Sequence, residues 1–135
     1  WICCLYHPTV TNSYRAFHKR LDNYWKPILW FTKGKYRGPY VADGINTSIP
    51  DKRFHQWGQQ ERWAYSFLDR MPLDCLTLDP FCGGGTVPAV CKMLGRHYLG
   101  FEIDPIVAEK ARERVANTNP PLFVLEPEQM ELMAG

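Results

Sequence analysis

No run of the chain approaches the roughly 18 apolar residues that would mark a membrane-spanning helix, and no N-terminal stretch has the make-up of a signal peptide. The five cysteines are odd in number and none are paired as Cys-x-x-Cys, which argues against both a disulfide framework and a zinc site. These absences lead us to expect a chain with reduced thiols, no metal and no membrane, in the cytoplasm or another intracellular setting. Charge of one sign is scarce too: 16 basic side chains face 14 acidic ones, a net of +2. Electrostatics alone therefore do not call for nucleic acid, and any such partner has to be read from motifs. Internal repeats and low-complexity tracts are absent, so 135 residues read as segments of one domain.

What is present is an ordered alternation of elements. Trp1 to Leu5 is an apolar run with strand character, and Trp25 to Thr32 (WKPILWFT) is rich in aromatic and branched residues, as a buried strand should be. From Gly38 to Arg53 the composition turns to Gly, Pro, Asn, Asp and Ser, and a loop or linker is expected. Between Gln59 and Met71, Trp63, Ala64, Phe67, Leu68 and Met71 recur at helical spacing opposite Glu61, Arg62, Ser66 and Asp69. Cys75 to Asp79 then forms a short strand that runs into consecutive glycines, with a helix from Thr86 to Leu94 closed by Gly95. His97 to Ile103 is a second strand. Asp104 and Pro105 supply an N-cap and a first-turn proline for a helix to about Val115, and Asn119-Pro120-Pro121 is expected to stop it. This β-α-β-α order predicts a parallel sheet with a right-handed crossover, an α/β Rossmann-like core.

The segment Asp79-Pro80-Phe81-Cys82-Gly83-Gly84-Gly85-Thr86, with Glu102-Ile103-Asp104 at the next strand tip, carries the chemistry. Glycines at a strand-to-helix turn let a ligand approach the main chain closely. Glu102 at the strand tip is placed to accept hydrogen bonds from ribose hydroxyls, leaving Ile103 to pack on an adenine ring. The glycines depart from the dinucleotide fingerprint G-x-G-x-x-G, being consecutive and led in by Asp-Pro-Phe. Asp79 would repel a pyrophosphate, yet it suits the ammonium of S-adenosylmethionine (SAM).

The run LTLDPFCGGGT…GRHYLGFEID resembles the cofactor motifs of N6-adenine and N4-cytosine DNA methyltransferases. Upstream, Lys26 to Gly34 (KPILWFTKG) is similar to the strand and loop that follow the catalytic motif in members whose catalytic motif precedes the cofactor motif. His55-Gln56-Trp57-Gly58-Gln59 looks like the segment closing over the methionine end, although Gln59-Gln60-Glu61 stands where the family often has Gln-Lys-Pro. The resemblance covers residues 25 to 115. It implies an enzyme, such as those of restriction-modification systems, that uses SAM to methylate an exocyclic amine of a base in double-stranded DNA. It also implies a cofactor site of Asp79, Phe81, Cys82, Gly83, Gly85, Thr86, Glu102, Ile103, His55 and Gln59.

The family's catalytic Asp/Asn/Ser-Pro-Pro-aromatic tetrapeptide is missing. The related Asn119-Pro120-Pro121-Leu122 ends in leucine and directly follows a helix, where two prolines serve as a stop. The catalytic motif is therefore expected upstream of Trp1, and the 135 residues by themselves are expected to be inactive. The expected division of this partial domain is 1–54 for the strand and loop region, 55–118 for the cofactor-binding region and 119–135 for a tail. Lys33, Lys35 and Arg37, interleaved with Tyr36 and Tyr40, form a candidate phosphate-contacting loop, with a merely solvated loop as the alternative. Two further readings stay open: a non-catalytic cofactor- or DNA-binding module, and an NAD-type enzyme on a similar fold.

Overall fold

The computed structural model describes residues 1–6, 15–16, 21–22, 25–46, 53, 58 and 60–121. In chain order the elements are β1 (Ile2–Tyr6), β2 (Arg15–Ala16), β3 (Leu21–Asp22), β4 (Trp25–Leu29), β5 (Gly44–Asn46), α1 (Glu61–Leu68), β6 (Thr77–Asp79), α2 (Thr86–Met93), β7 (Tyr98–Gly100) and α3 (Pro105–Ala116). Strands β4, β1 and β5 form one sheet, β2 and β3 a small ribbon, and β6 and β7 a parallel pair.

Alternation builds the first sheet. Cys3 and Leu5 point inward from β1 while Ile2 and Tyr6 face out. Antiparallel pairing sets Ile2 opposite Leu29 and Tyr6 opposite Trp25. Pro27 lacks a backbone donor, and it is accommodated because, among the described residues, β4 pairs on one side only. On its other side β1 runs parallel to β5, with Leu5 opposite Ile45. This strand lies within 38–53, where the sequence leads one to expect only loop. Three residues with a single branched apolar side chain give no period to read, and β5 is extended because β1 offers it an open edge.

Helix α1 links this sheet to the rest. Phe67 packs in the cluster of Cys3, Leu5 and Ile45, with Trp63 against it, and burial of each large side chain stabilises by about 2 kcal/mol. The wholly buried Ala64 lies on the same helix, which also packs on α2. Beyond α1, the buried Arg96 donates to three consecutive-turn carbonyls: from Nη1 to Pro72 at 2.7 Å, and from Nη2 to Met71 at 2.7 Å and Asp69 at 3.3 Å. Arg96, two residues ahead of β7, thereby fixes the exit of α1.

The expected strand-turn-helix-strand-helix is present. Thr77 lies opposite Tyr98 and Asp79 opposite Gly100 in parallel register. Pro88 falls in the first turn of α2, where a missing N–H costs nothing. The side chain of Asp104 caps α3, accepting from the Ile106 and Val107 amides at 2.8 and 3.2 Å. Helix α3 ends at Ala116, ahead of the prolines, so Asn119-Pro120-Pro121 is not its direct stop. Lys92 Nζ reaches from α2 to the Val115 and Ala116 carbonyls at 2.7 and 3.1 Å, placing a cation at the negative end of α3.

Candidate cofactor site

The strand-to-helix turn after β6 is held by its own polar groups. Phe81 N–H donates to Asp79 Oδ1 at 3.2 Å, which bends the chain out of the strand. Cys82 N–H donates to the Phe101 carbonyl at 2.8 Å, tying the turn to the strand next door. Gly85 N–H closes the turn onto the Cys82 carbonyl at 2.8 Å. Gly85 has φ +74 and is the residue from which α2 starts.

Glu102 reaches this turn from the end of β7. Its Oε2 accepts from Gly83 N–H at 2.9 Å, and its Oε1 accepts from Asp104 N–H at 3.0 Å. The half-buried carboxylate is thus oriented by two backbone amides. Each oxygen retains further acceptor capacity.

A cavity of about 590 Å³ opens over the turn, lined by Gly58, Trp63, Leu78, Asp79, Phe81, Cys82, Gly83, Gly84, Thr86, Val87 and Glu102. Its volume is within the range of small-molecule sites. Burial pushes the Asp79 carboxyl above the ordinary carboxylate range and the nearby Glu102 adds to this, while the Phe81 amide opposes it. The Cys82 thiol is raised by burial, and then by Asp79 and Glu102, so it stays protonated rather than acting as a thiolate. Two carboxylates beside Trp63, Leu78, Phe81 and Val87 suit a ligand with a flat apolar part, hydroxyl donors and a cation. They disfavour an anion. Among the described residues no group of three His, Cys, Asp or Glu could hold a metal ion.

Of the residues singled out from sequence, Asp79, Phe81, Cys82, Gly83, Thr86 and Glu102 line the cavity. Gly85 does not: a side chain there would meet the Cβ, Cα and O of Ala111 on α3 at 3.1–3.2 Å. Ile103 is also outside the lining and is 99% exposed next to Glu102, with Phe81 at 89%. His55 and Gln59 lie outside the described residues, though their neighbour Gly58 is in the lining. Trp63, Leu78, Val87, Gly58 and Gly84 were not foreseen. Trp63 has the spacing of a core residue and does pack on the core, so nothing in its pattern announces a second role at the cavity.

Lys33, Lys35 and Arg37 are all exposed. The tyrosines between and beyond them divide. Tyr40 is fully exposed, whereas Tyr36 is half-buried, stacks edge-on against Trp30 with centroids 5.4 Å apart, and donates its hydroxyl to the Arg70 carbonyl at 2.7 Å. Tyr36 therefore anchors the loop to the end of α1.

Residues 68–113, which hold β6, the glycine turn, α2, β7 and most of α3, match a family model described as DNA methylase, of the N6/N4 type. Over that third of its length the chain is similar to this DNA methylase family. It is also similar to the Type II methyltransferase M.HinfI of Haemophilus influenzae, at 33% identity over 85 residues, covering 62% of this chain and 22% of that protein. Two solved structures of M1.HpyAVI share the fold. One, a SAM complex, aligns with TM-score 0.63 and 22% identity over 84% of this chain and 60% of its own. The other aligns with TM-score 0.59 and 19% identity over 85% and 58%. The chain thus spans about a fifth of the curated relative and three-fifths of the solved ones, with which it shares a mixed α/β fold. No helix among the described residues is long and apolar enough to cross a membrane.

Proposed function

We propose that this chain is the cofactor-binding part of a DNA methyltransferase that uses SAM to methylate adenine N6 or cytosine N4 in double-stranded DNA. The observation that carries the reading is the Glu102 carboxylate, oriented by Gly83 and Asp104 N–H at the edge of the cavity. Oxygens so held match the vicinal hydroxyls of a ribose, the part that SAM shares with other nucleosides. Asp79 distinguishes among nucleosides: a half-buried acid in the cavity matches the ammonium of the methionine end and opposes a pyrophosphate. Phe81 in the cavity lining offers an exposed apolar surface for an adenine ring, and Ile103, exposed beside Glu102, is assigned to the same ring by the family resemblance. That M1.HpyAVI, of the same fold, has been solved as its SAM complex supports the choice.

SAM brings a methyl group already electrophilic on sulfonium, so the residues of this chain have only to hold, orient and keep water from it. Asp79, Phe81, Cys82, Gly83, Thr86, Glu102 and Ile103 do this in our reading, with Gly85 setting the turn and His55 and Gln59 at the methionine end. Lys33, Lys35 and Arg37 meet DNA phosphates. No residue of the chain is assigned to accepting the amine protons. The functional division follows the same lines, with 1–54 leading up to the site, 55–118 forming it and 119–135 beyond it.

Isothermal titration with S-adenosylhomocysteine tests the reading. Saturable binding is expected, weakened about tenfold or more by Glu102→Ala, with no heat from NAD. Binding of NAD in preference to S-adenosylhomocysteine would replace this reading with a dehydrogenase-like one.

A further inference from the structure

Bonded to the glycine turn but outside the cavity lining lies a buried cation. Arg114 is in the last turn of α3 and only 4% exposed. Its Nη1 donates to the Gly84 carbonyl and to Thr86 Oγ1, both at 3.1 Å. Its Nη2 donates to Glu61 Oε1 at 2.8 Å. Glu61 opens α1, and Gly84 and Thr86 end the turn and begin α2. One guanidinium therefore joins three elements that are 28 to 53 residues from it in the chain.

These elements contribute two parts of the cavity lining. Gly83, Gly84 and Thr86 line it from the turn, and Gly58 and Trp63 line it from the segment around the start of α1. We infer that Arg114 is a positioning residue of the cofactor site, setting the glycine turn and the first turn of α1 at a fixed separation through its planar fork. A buried charge is costly to desolvate, and its planar fork can fix several partners at once. An aliphatic residue would fill the α3 position at lower desolvation cost, yet would leave the Gly84 carbonyl and Glu61 without this donor. The orientation of the Gly84 carbonyl also fixes the peptide plane that leads into Gly85, and Gly83, one residue back, carries the N–H that orients Glu102. Arg114 thereby acts on the ribose-facing carboxylate without lining the cavity itself. This inference rests on the reading of the cavity as a cofactor site only for its consequence in binding.

The test uses Arg114→Lys, which keeps the charge but not the fork, and Glu61→Gln, which keeps the size and weakens the ion pair from its more exposed partner. In ligand-free protein, amide exchange at Gly83 and Gly85 is expected to speed up about tenfold in Arg114→Lys, while the amides of the β1–β4 ladder keep their rates. S-adenosylhomocysteine affinity, measured well below the unfolding midpoint of each variant, falls about tenfold in Arg114→Lys and about threefold in Glu61→Gln. Unchanged protection at Gly83 and Gly85 would overturn the inference, as would a lowered midpoint with unchanged affinity, which would make Arg114 a strut of the core. Parent protein that fails to bind S-adenosylhomocysteine would count against the proposed function alone. The exchange measurement would still decide the role of Arg114.

Discussion

Glu102 Oε2 accepts the Gly83 amide proton at 2.9 Å, joining two residues 19 apart in sequence across the tips of adjacent parallel strands. The same carboxylate takes the Asp104 amide with its other oxygen. An amide side chain has one acceptor and one donor, so Glu102→Gln sets its NH₂ against one of these two N–H groups. The expected cost is about 1 kcal/mol of stability, together with an affinity loss for S-adenosylhomocysteine of about tenfold. Urea denaturation and calorimetric titration read the two effects separately. Full affinity in Glu102→Gln would show that the carboxylate orders the turn without touching the ligand.

Gly85 and Gly34 share a left-handed backbone but not their surroundings. Gly34 has φ +85 with open space about it, and Gly85 has φ +74 with the Ala111 backbone at 3.2 Å from where a Cβ would be. Gly34→Ala should therefore cost only the backbone strain, about 1 kcal/mol. Gly85→Ala adds tight contacts with the Ala111 Cβ and backbone that α3 must yield to by a few tenths of an ångström, and about 2 kcal/mol is expected. Equal midpoints for the two variants in denaturant titrations would mean that α3 moves aside freely.

The contrast between these glycines also shows what the sequence discloses and what it does not. Strand, glycine turn, helix and acidic strand tip were all legible, because β6, α2, β7 and α3 each carry a local signal: an apolar run, a glycine cluster, or a capping Asp104 with Pro105. The three-residue β5 and the hub at Arg114 were not. Ile45 takes its strand from β1, and Arg114 takes its role from Gly84, Thr86 and Glu61, partners that no spacing along α3 reveals. Trp63 has two faces in use, and periodicity reports only the one in the core.

On the proposed reading, ligand binding depends on pH through Asp79. Its folded-state carboxyl is raised, chiefly by burial, so the free protein holds this proton more tightly than water would. Stability linked to this group is present at low pH and is lost as pH rises from the ordinary carboxylate value through the raised one. An ammonium bound beside Asp79 opposes that shift, favouring the carboxylate. Binding of S-adenosylhomocysteine should thus release protons within that window and weaken as pH falls through it. Titrations in buffers of different ionisation enthalpy measure the proton count. Proton uptake, or none at any pH in the window, would remove Asp79 from the ammonium site.

Asp104 is the N-cap of α3, and its own backbone N–H holds Glu102. The two tasks are separable because one uses the side chain and the other the main chain. Asp104→Ala removes the acceptor for the Ile106 and Val107 amides at an exposed helix start, and a loss of about 1 kcal/mol is expected. Asp104→Asn supplies an equivalent acceptor without the charge and should recover nearly all of it, since asparagine caps as well as aspartate. What the asparagine variant fails to recover is the interaction of the charge with the helix dipole, and that residue of stability should shrink as salt is added. A salt-insensitive deficit in Asp104→Asn would instead locate the cost in a disturbed main chain at 104, and with it a disturbed Glu102.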